Sequence, residues 1–227
     1  TESESIKLSI VGHPNVGKSS IFNLLTESNR SIVSNIPGTT RDSIDYIAKY
    51  EEKTIKFIDT AGMKKRGQID PGIEKYSTIR TLKSIENADV CVLIINAEEM
   101  ITAQDLHISG FIKDLMRPCL IVLNKIDLLT NYETEILVKK IKEKFSHIPD
   151  IPVILTSATK VINIENIVPE AIKVYQNSIK RINQKELNRC FLEAITKKQP
   201  PSKGKKTPEL FSISQYKIGP PGFKFES

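Results

Sequence analysis

Gly12-His-Pro-Asn-Val-Gly-Lys-Ser19 fits the pattern G-x-x-x-x-G-K-[ST]. An apolar run precedes it and a segment of helical period follows, the context this pattern requires of a phosphate-binding loop. Backbone N–H groups at such a loop and at the N-terminus of the next helix can wrap a phosphate. Gly12 and Gly17 allow the close backbone approach that a Cβ would obstruct. Lys18 would reach the outer phosphates, and the Ser19 hydroxyl would bind Mg²⁺. Three later segments narrow the chemistry. Asp59-Thr-Ala-Gly62 ends an apolar run, where Asp59 can hold Mg²⁺ through water and the Gly62 N–H can approach a terminal phosphate. Asn124-Lys-Ile-Asp127 ends another, and a carboxylate there accepts the N1–H and N2–H donors of guanine, a pair that adenine lacks. A buried carboxylate left unpaired by the wrong base discriminates by a factor on the order of 10⁴. Thr156-Ser-Ala158 ends the next run, where its backbone can meet guanine O6. Each of the three segments alone is equally well explained as a turn or cap. In this order behind the loop, they point to a guanine nucleotide.

These residues need a scaffold that brings strand ends together. Lys7–Val11, Thr54–Asp59, Val90–Asn96, Cys119–Asn124 and Val153–Thr156 are short β-branched or apolar runs, expected as buried strands. Between them, Lys18–Leu25, Ile73–Ile85, Thr102–Leu115 and Glu133–Phe145 carry apolar residues three and four apart, as helices do. Ser43–Tyr50 alternates Ile44, Tyr46, Ala48 and Tyr50, as an edge strand would. Alternating strands and helices imply an α/β fold, a mostly parallel sheet with helices on both faces. This domain is expected over residues 5–180. A helix over Gln184–Lys197 then leads into Lys197-Lys-Gln-Pro-Pro-Ser-Lys-Gly-Lys-Lys206, a linker by its prolines, glycine and lysines. Leu210–Tyr216 and Phe223–Phe225 read as strands split by Gly219-Pro-Pro-Gly222. Two strands cannot close a core alone, so they pack on the main domain or begin a second one.

Composition sets the outer bounds. With 26% charged and 39% hydrophobic residues in 227, wholesale disorder is not expected. The apolar run Val90–Ile95 falls far short of the roughly 20 residues that cross a bilayer. The polar start Thr1–Ser5 has no cationic and apolar leader pattern. The three cysteines lack metal spacing, and Cys91 and Cys119 lie in apolar runs, so a reducing, cytoplasmic compartment is expected. Charge is uneven. Residues 176–227 hold 11 Lys and Arg against 4 Asp and Glu, whereas residues 1–175 hold 22 against 23. A basic tail suits a polyanion such as RNA, or serves only as a solvated surface.

The four motifs in this order resemble those of the translation-factor-related class of P-loop GTPases. Gly12–Ser19 and Pro37-Gly-Thr-Thr-Arg-Asp42 are similar to the Era-like branch. Asp59-Thr-Ala-Gly-Met-Lys-Lys-Arg66, Ile73-Glu-Lys-Tyr-Ser77 and Leu187-Asn-Arg189 resemble the second GTPase domain of the EngA family, also called Der. The resemblance runs on through Pro200-Pro-Ser202 into the start of that family's KH-like domain. By it, residues 181–227 are a connecting helix, a basic linker and the first strands of an incomplete KH-like domain. Thr1–Ser5 looks like the linker from a first GTPase domain. Ile126 stands where the family often has Trp, and His13 where Arg is common.

The resemblance implies slow GTP hydrolysis and switching between GTP and GDP states. The nucleotide site it implies comprises Gly12, His13, Pro14, Asn15, Val16, Gly17, Lys18, Ser19 and Ser20 in the first loop. Asp59, Thr60, Ala61, Gly62 and Met63 join from the second segment, with Asn124, Lys125, Asp127, Ser157 and Ala158 on the base side. Mg²⁺ would be held by Ser19, Thr40 and Asp59, and K⁺ by Asn15. Alternatively, Asn15 serves only the tight loop geometry. Lys18, Thr40, Gly62 and Asn15 carry the catalytic roles. Met63 takes the place of a water-orienting glutamine, so unassisted turnover of about 10⁻⁴ to 10⁻³ per second is expected by analogy. Arg41 and Lys64–Arg66 are further cationic candidates. The implied partners are the large ribosomal subunit and its rRNA, with the first GTPase domain and the rest of the KH-like domain in cis. The competing expectations are an Era-like GTPase in tRNA modification or at a membrane, and an RNA-binding module with a regulatory GTPase fold. With no lipidation motif or amphipathic anchor, a membrane partner is not expected.

Overall fold

The computed structural model describes residues 5–28, 45–60, 74–148, 150–198 and 210–226. The chain divides into two compact units, Thr1–Tyr175 and Gln176–Ser227.

In the first unit the apolar runs form the sheet. Its strands are β1 (Ile6–Val11), β2 (Tyr46–Tyr50), β3 (Lys53–Phe57), β4 (Val90–Asn96), β5 (Cys119–Asn124) and β6 (Val153–Leu155). They lie in the order β2-β3-β1-β4-β5-β6, and every pairing except β2 with β3 is parallel. Every residue of β4 and β5 is buried, as a central parallel strand covered on both faces demands. Alternation along β4 sorts its side chains between two cores. Val90, Val92 and Ile94 join Phe22, Tyr46 and Phe57 on one face, while Cys91, Leu93 and Ile95 join Ile112, Leu137 and Phe145 on the other. The helices that begin in this unit are α1 (Lys18–Ser28), α2 (Glu74–Asn87), α3 (Ala103–Asp114), α4 (Asn131–Lys144) and α5 (Ile167–Ser178). Phe22 on α1 meets Tyr46 and Phe57 edge to face, with ring centroids 5.5 Å and 5.6 Å apart.

The expected α/β architecture is therefore present, and β2 is the edge strand that its alternation suggested: Tyr46 and Ala48 are buried and Lys49 is exposed. Helix α5 had no counterpart among the expected helices. Its Pro169 discourages a helix reading, yet it sits in the first turn, where the missing N–H has no intrahelical acceptor to lose. Capping boxes set two starts. Thr102 with Asp105 opens α3, and Thr130 with Glu133 opens α4 two residues before the expected Glu133.

The second unit contains helix α6 (Gln184–Lys197) and a hairpin of β7 (Ser212–Lys217) and β8 (Gly222–Glu226). Leu187, Phe191 and Ile213 form a small core of their own. The Gln215 amide fixes the hairpin to the segment before α6, donating to Lys180 O at 3.1 Å and accepting from the Ile182 N–H at 2.8 Å.

Candidate nucleotide-binding site

The strand order changes direction at β1, with β3 on one side and β4 on the other. Ligands of open α/β sheets settle at the carboxyl ends of strands beside such a reversal. The motif segments follow the ends of β1, β3, β5 and β6, so the topology gathers them along one edge of the sheet.

The loop from Gly12 to Gly17 cannot carry larger residues at its two glycines. Gly12 has φ +147°, and a Cβ there would lie 2.4 Å from Ile94 O; at Gly17, with φ +100°, it would lie 2.3 Å from Asn124 Nδ2. Asn15 is left-handed at φ 65°, a conformation asparagine tolerates. Lys18 Nζ donates to Gly12 O at 2.9 Å and His13 O at 2.7 Å, which folds the lysine back over the loop. Burial lowers its pKa to about 8 against the opposing charge of Asp105. A phosphate in reach of Nζ would favour the protonated form again.

Asn124 connects the loops. Its Nδ2 donates to Val16 O at 2.9 Å, while its Oδ1 accepts from Ala158 N at 3.0 Å and Thr156 Oγ1 at 3.4 Å. Lys125 follows at φ 66°, turning the chain into a single 3-10 turn over Ile126–Leu128 that carries Asp127 at the surface. The Ile126 N–H donates to Thr156 O at 3.1 Å, and Ser157 Oγ accepts from Lys160 N at 3.0 Å. The loops after β5 and β6 thus form one hydrogen-bonded body. A cavity of about 250 Å³ lies between Ser20 and Asn23 of α1 and Ala158 and Thr159.

On the other side of the loop, a cavity of about 210 Å³ is lined by Gly12, Pro14, Lys18, Ser19, Asp59 and Arg80, among others. Thr60, beside it in sequence, is fully buried. Thr40, Ala61, Gly62, Met63, Arg41 and Lys64–Arg66 lie outside the described residues, as do Lys203, Lys205 and Lys206.

The structure adds Arg80, Glu99 and Asp105, which the motifs do not name. Arg80 on α2 grips the Asp59 carboxylate. His13 Nδ1 donates to Pro14 O at 2.8 Å, so its buried Nε2 faces Glu99 Oε2 at 3.5 Å and Asp105 Oδ1 at 3.9 Å. The capping box predicts one Asp105 oxygen from sequence; that the other turns toward the phosphate loop requires the packing of α3. Nothing in the spacing of Asp59 and Arg80 announces their pairing.

The residues fit a magnesium nucleoside phosphate: two glycine positions that a Cβ would fill, a lysine, and a hydroxyl and carboxylate on one cavity. Residues 7–125 match the protein family described as 50S ribosome-binding GTPase, and the chain belongs to that family. It is 40% identical over 219 residues to GTPase Der of Protochlamydia amoebophila, covering 96% of this chain and 45% of that protein. It is likewise 40% identical over 231 residues to GTPase Der of Chloroflexus aggregans, covering 99% and 51%. The chain spans about half the length of these relatives, and the motif resemblance to EngA/Der is borne out. Among solved structures it resembles Era in complex with MgGDPNP and nucleotides 1506–1542 of 16S ribosomal RNA, with TM-score 0.59 and 29% identity over 76% of this chain and 57% of that one. An Aquifex aeolicus Era variant bound to GDP·AlF4⁻ gives TM-score 0.57 and 30% identity, covering 74% and 56%.

Proposed function

We propose that this chain binds GTP and GDP with Mg²⁺, hydrolyses GTP, and works as an EngA/Der-type switch in assembly of the large ribosomal subunit. The observation that carries the nucleotide assignment is Asn124, whose amide bonds both the phosphate loop and the Ala158 backbone while the next turn presents Asp127. This linkage sets the distance between a phosphate cradle and a carboxylate suited to guanine.

In this reading, backbone N–H groups of residues 12–19 hold the phosphates, and Lys18 leaves its loop carbonyls for the outer ones. Ser19, Asp59 and Thr40 would hold Mg²⁺, which neutralises charge on the phosphates when bound. The Gly62 N–H would meet the terminal phosphate. Loss of that phosphate would release the segments around Thr40 and residues 59–76, the order–disorder change by which such switches signal. Met63 cannot orient water, and Asn15 would hold a K⁺ whose charge offsets the developing negative charge. Asn15's left-handed backbone also suits the tight-turn role by itself. Replacing NaCl by KCl at equal ionic strength separates the two, since unchanged turnover removes the K⁺ role.

The basic C-terminal part, over 181–227, contacts rRNA as the start of a KH-like domain, and the protein acts in the cytoplasm. Among the described residues no helix is long and apolar enough to cross a membrane. The test is pelleting of the full-length protein with large ribosomal subunits in a non-hydrolysable GTP analogue and in GDP. Pelleting that depends on the analogue supports the switch. A folded, GTP-binding protein that pellets in neither state contradicts the ribosomal role and favours tRNA modification or a membrane.

A further inference from the structure

Both oxygens of the Asp59 carboxylate accept hydrogen bonds from one guanidinium. Arg80 Nε lies 2.7 Å from Oδ1 and 2.9 Å from Oδ2, and Nη2 lies 2.7 Å from Oδ1. Such charge-assisted, forked contacts are among the stronger hydrogen bonds available to a side chain. The burial is modest, with side-chain exposures of 46% for Arg80 and 21% for Asp59, so water screens the pair and the contact is exchangeable. Asp59 has φ 56°, a left-handed backbone, and its N–H is directed at Asp45 Oδ1, 3.4 Å away. Asp45 is itself paired with Lys56 at 2.9 Å, which leaves Arg80 as the cation on the Asp59 carboxylate among the described residues. Arg80 and Asp59 line the same cavity as Ser19 and Lys18.

We propose that Arg80 sets the affinity of the metal site: its guanidinium and a divalent cation compete for the Asp59 carboxylate. The proposal rests on the Mg²⁺ role given to Asp59 above. Mg²⁺ keeps several waters in a demanding octahedral shell, so a carboxylate serves it by accepting from those waters. Arg80 makes two contacts on Oδ1 and one on Oδ2, which crowds the acceptor sites those waters need, and two cations on one carboxylate repel each other. Seating the metal's waters on Oδ1 therefore requires Arg80 to give up a contact there. The exchange has two consequences. It raises the Mg²⁺ concentration that the nucleotide site requires, and it passes arrival of the metal to α2, which carries Arg80. By linkage the coupling is reciprocal, so whatever draws α2 away from β3 strengthens Mg²⁺ binding.

The test is the dissociation rate of a fluorescent GDP derivative from the full-length protein, measured from EDTA to millimolar Mg²⁺. Wild type, Arg80→Gln and Arg80→Lys are compared by the Mg²⁺ concentration that gives half of the slowing. Arg80→Gln is expected to lower that concentration by about three- to tenfold, the range a half-exposed forked pair supplies. Arg80→Lys keeps the charge but loses the fork, so its value falls between the two. An unchanged or raised half-effect concentration in Arg80→Gln, with wild type responding to Mg²⁺, overturns the exchange alone. A wild type insensitive to Mg²⁺ overturns the metal role of Asp59 and the exchange with it. If Arg80→Gln does not fold, Arg80→Lys decides, and a value equal to or above wild type overturns the proposal.

Discussion

Asn124 Nδ2 donates to Val16 O at 2.9 Å across 108 residues of sequence, and the same amide accepts from the Ala158 N–H. A buried side chain thereby makes the phosphate loop and the two base-side loops a single preorganised unit. Binding energy then goes into nucleotide contacts and not into ordering three separate segments.

Removing that amide should be costly. Asn124→Ala strands the buried Val16 carbonyl and Ala158 N–H, and each unsatisfied group costs about 1–3 kcal/mol. The expected loss is about 2–4 kcal/mol in urea unfolding, with weaker GDP binding at urea concentrations where the protein is still folded. A loss below about 1 kcal/mol would mean that the loops do not depend on this link.

Gly17→Ala should separate binding from folding. The added Cβ meets the Asn124 amide, which its other bonds hold in place, at a backbone φ of +100°. Strain of about 1–3 kcal/mol confined to the loop corresponds to roughly 5- to 140-fold weaker GDP binding. Calorimetric titration would measure this, and unchanged affinity would place the phosphates elsewhere.

Asp127→Asn should change the base preference. In the proposed site the carboxylate would accept two guanine donors, whereas an amide offers one donor and one acceptor, matching the oxygen that xanthine carries at C2. GTP affinity is expected to fall by about 10²- to 10⁴-fold while xanthosine triphosphate gains. Equal losses for both would show that Asp127 does not touch the base.

The cysteines give a check on the sheet itself. Cys91 and Cys119 are paired in register across β4 and β5, and burial pushes both thiols up, Cys119 to about 12. Cys190 on α6 is exposed. Iodoacetamide at pH 8 should modify the native protein at Cys190 alone and reach all three thiols in urea, as read by peptide mass spectrometry. Native modification of Cys119 would contradict the buried parallel pairing.

Sequence patterning made the strands legible because parallel central strands are apolar on both faces, as Val90–Asn96 and Cys119–Asn124 are. The loops assigned to a nucleotide stand out in the sequence for a related reason: phosphate and guanine would each demand fixed residue types at fixed offsets from a strand end. What stayed hidden depends on long-range packing. Arg80 reaches Asp59 from 21 residues away, and Asp105 turns toward His13 only once α3 is laid on the sheet. Helix α5 was obscured because Pro169 acts as a breaker in an interior and as a neutral residue in a first turn.

The most direct test of a guanine nucleotide site is displacement of fluorescent GDP by unlabelled GTP and by ATP, in Mg²⁺, from the full-length protein. GTP should displace it at a concentration at least about 10³-fold lower than ATP, because a bound base would cover the surface carboxylate of Asp127 and adenine would leave it unpaired. Equal displacement by the two would contradict the assignment of Asp127 and, with it, the switch.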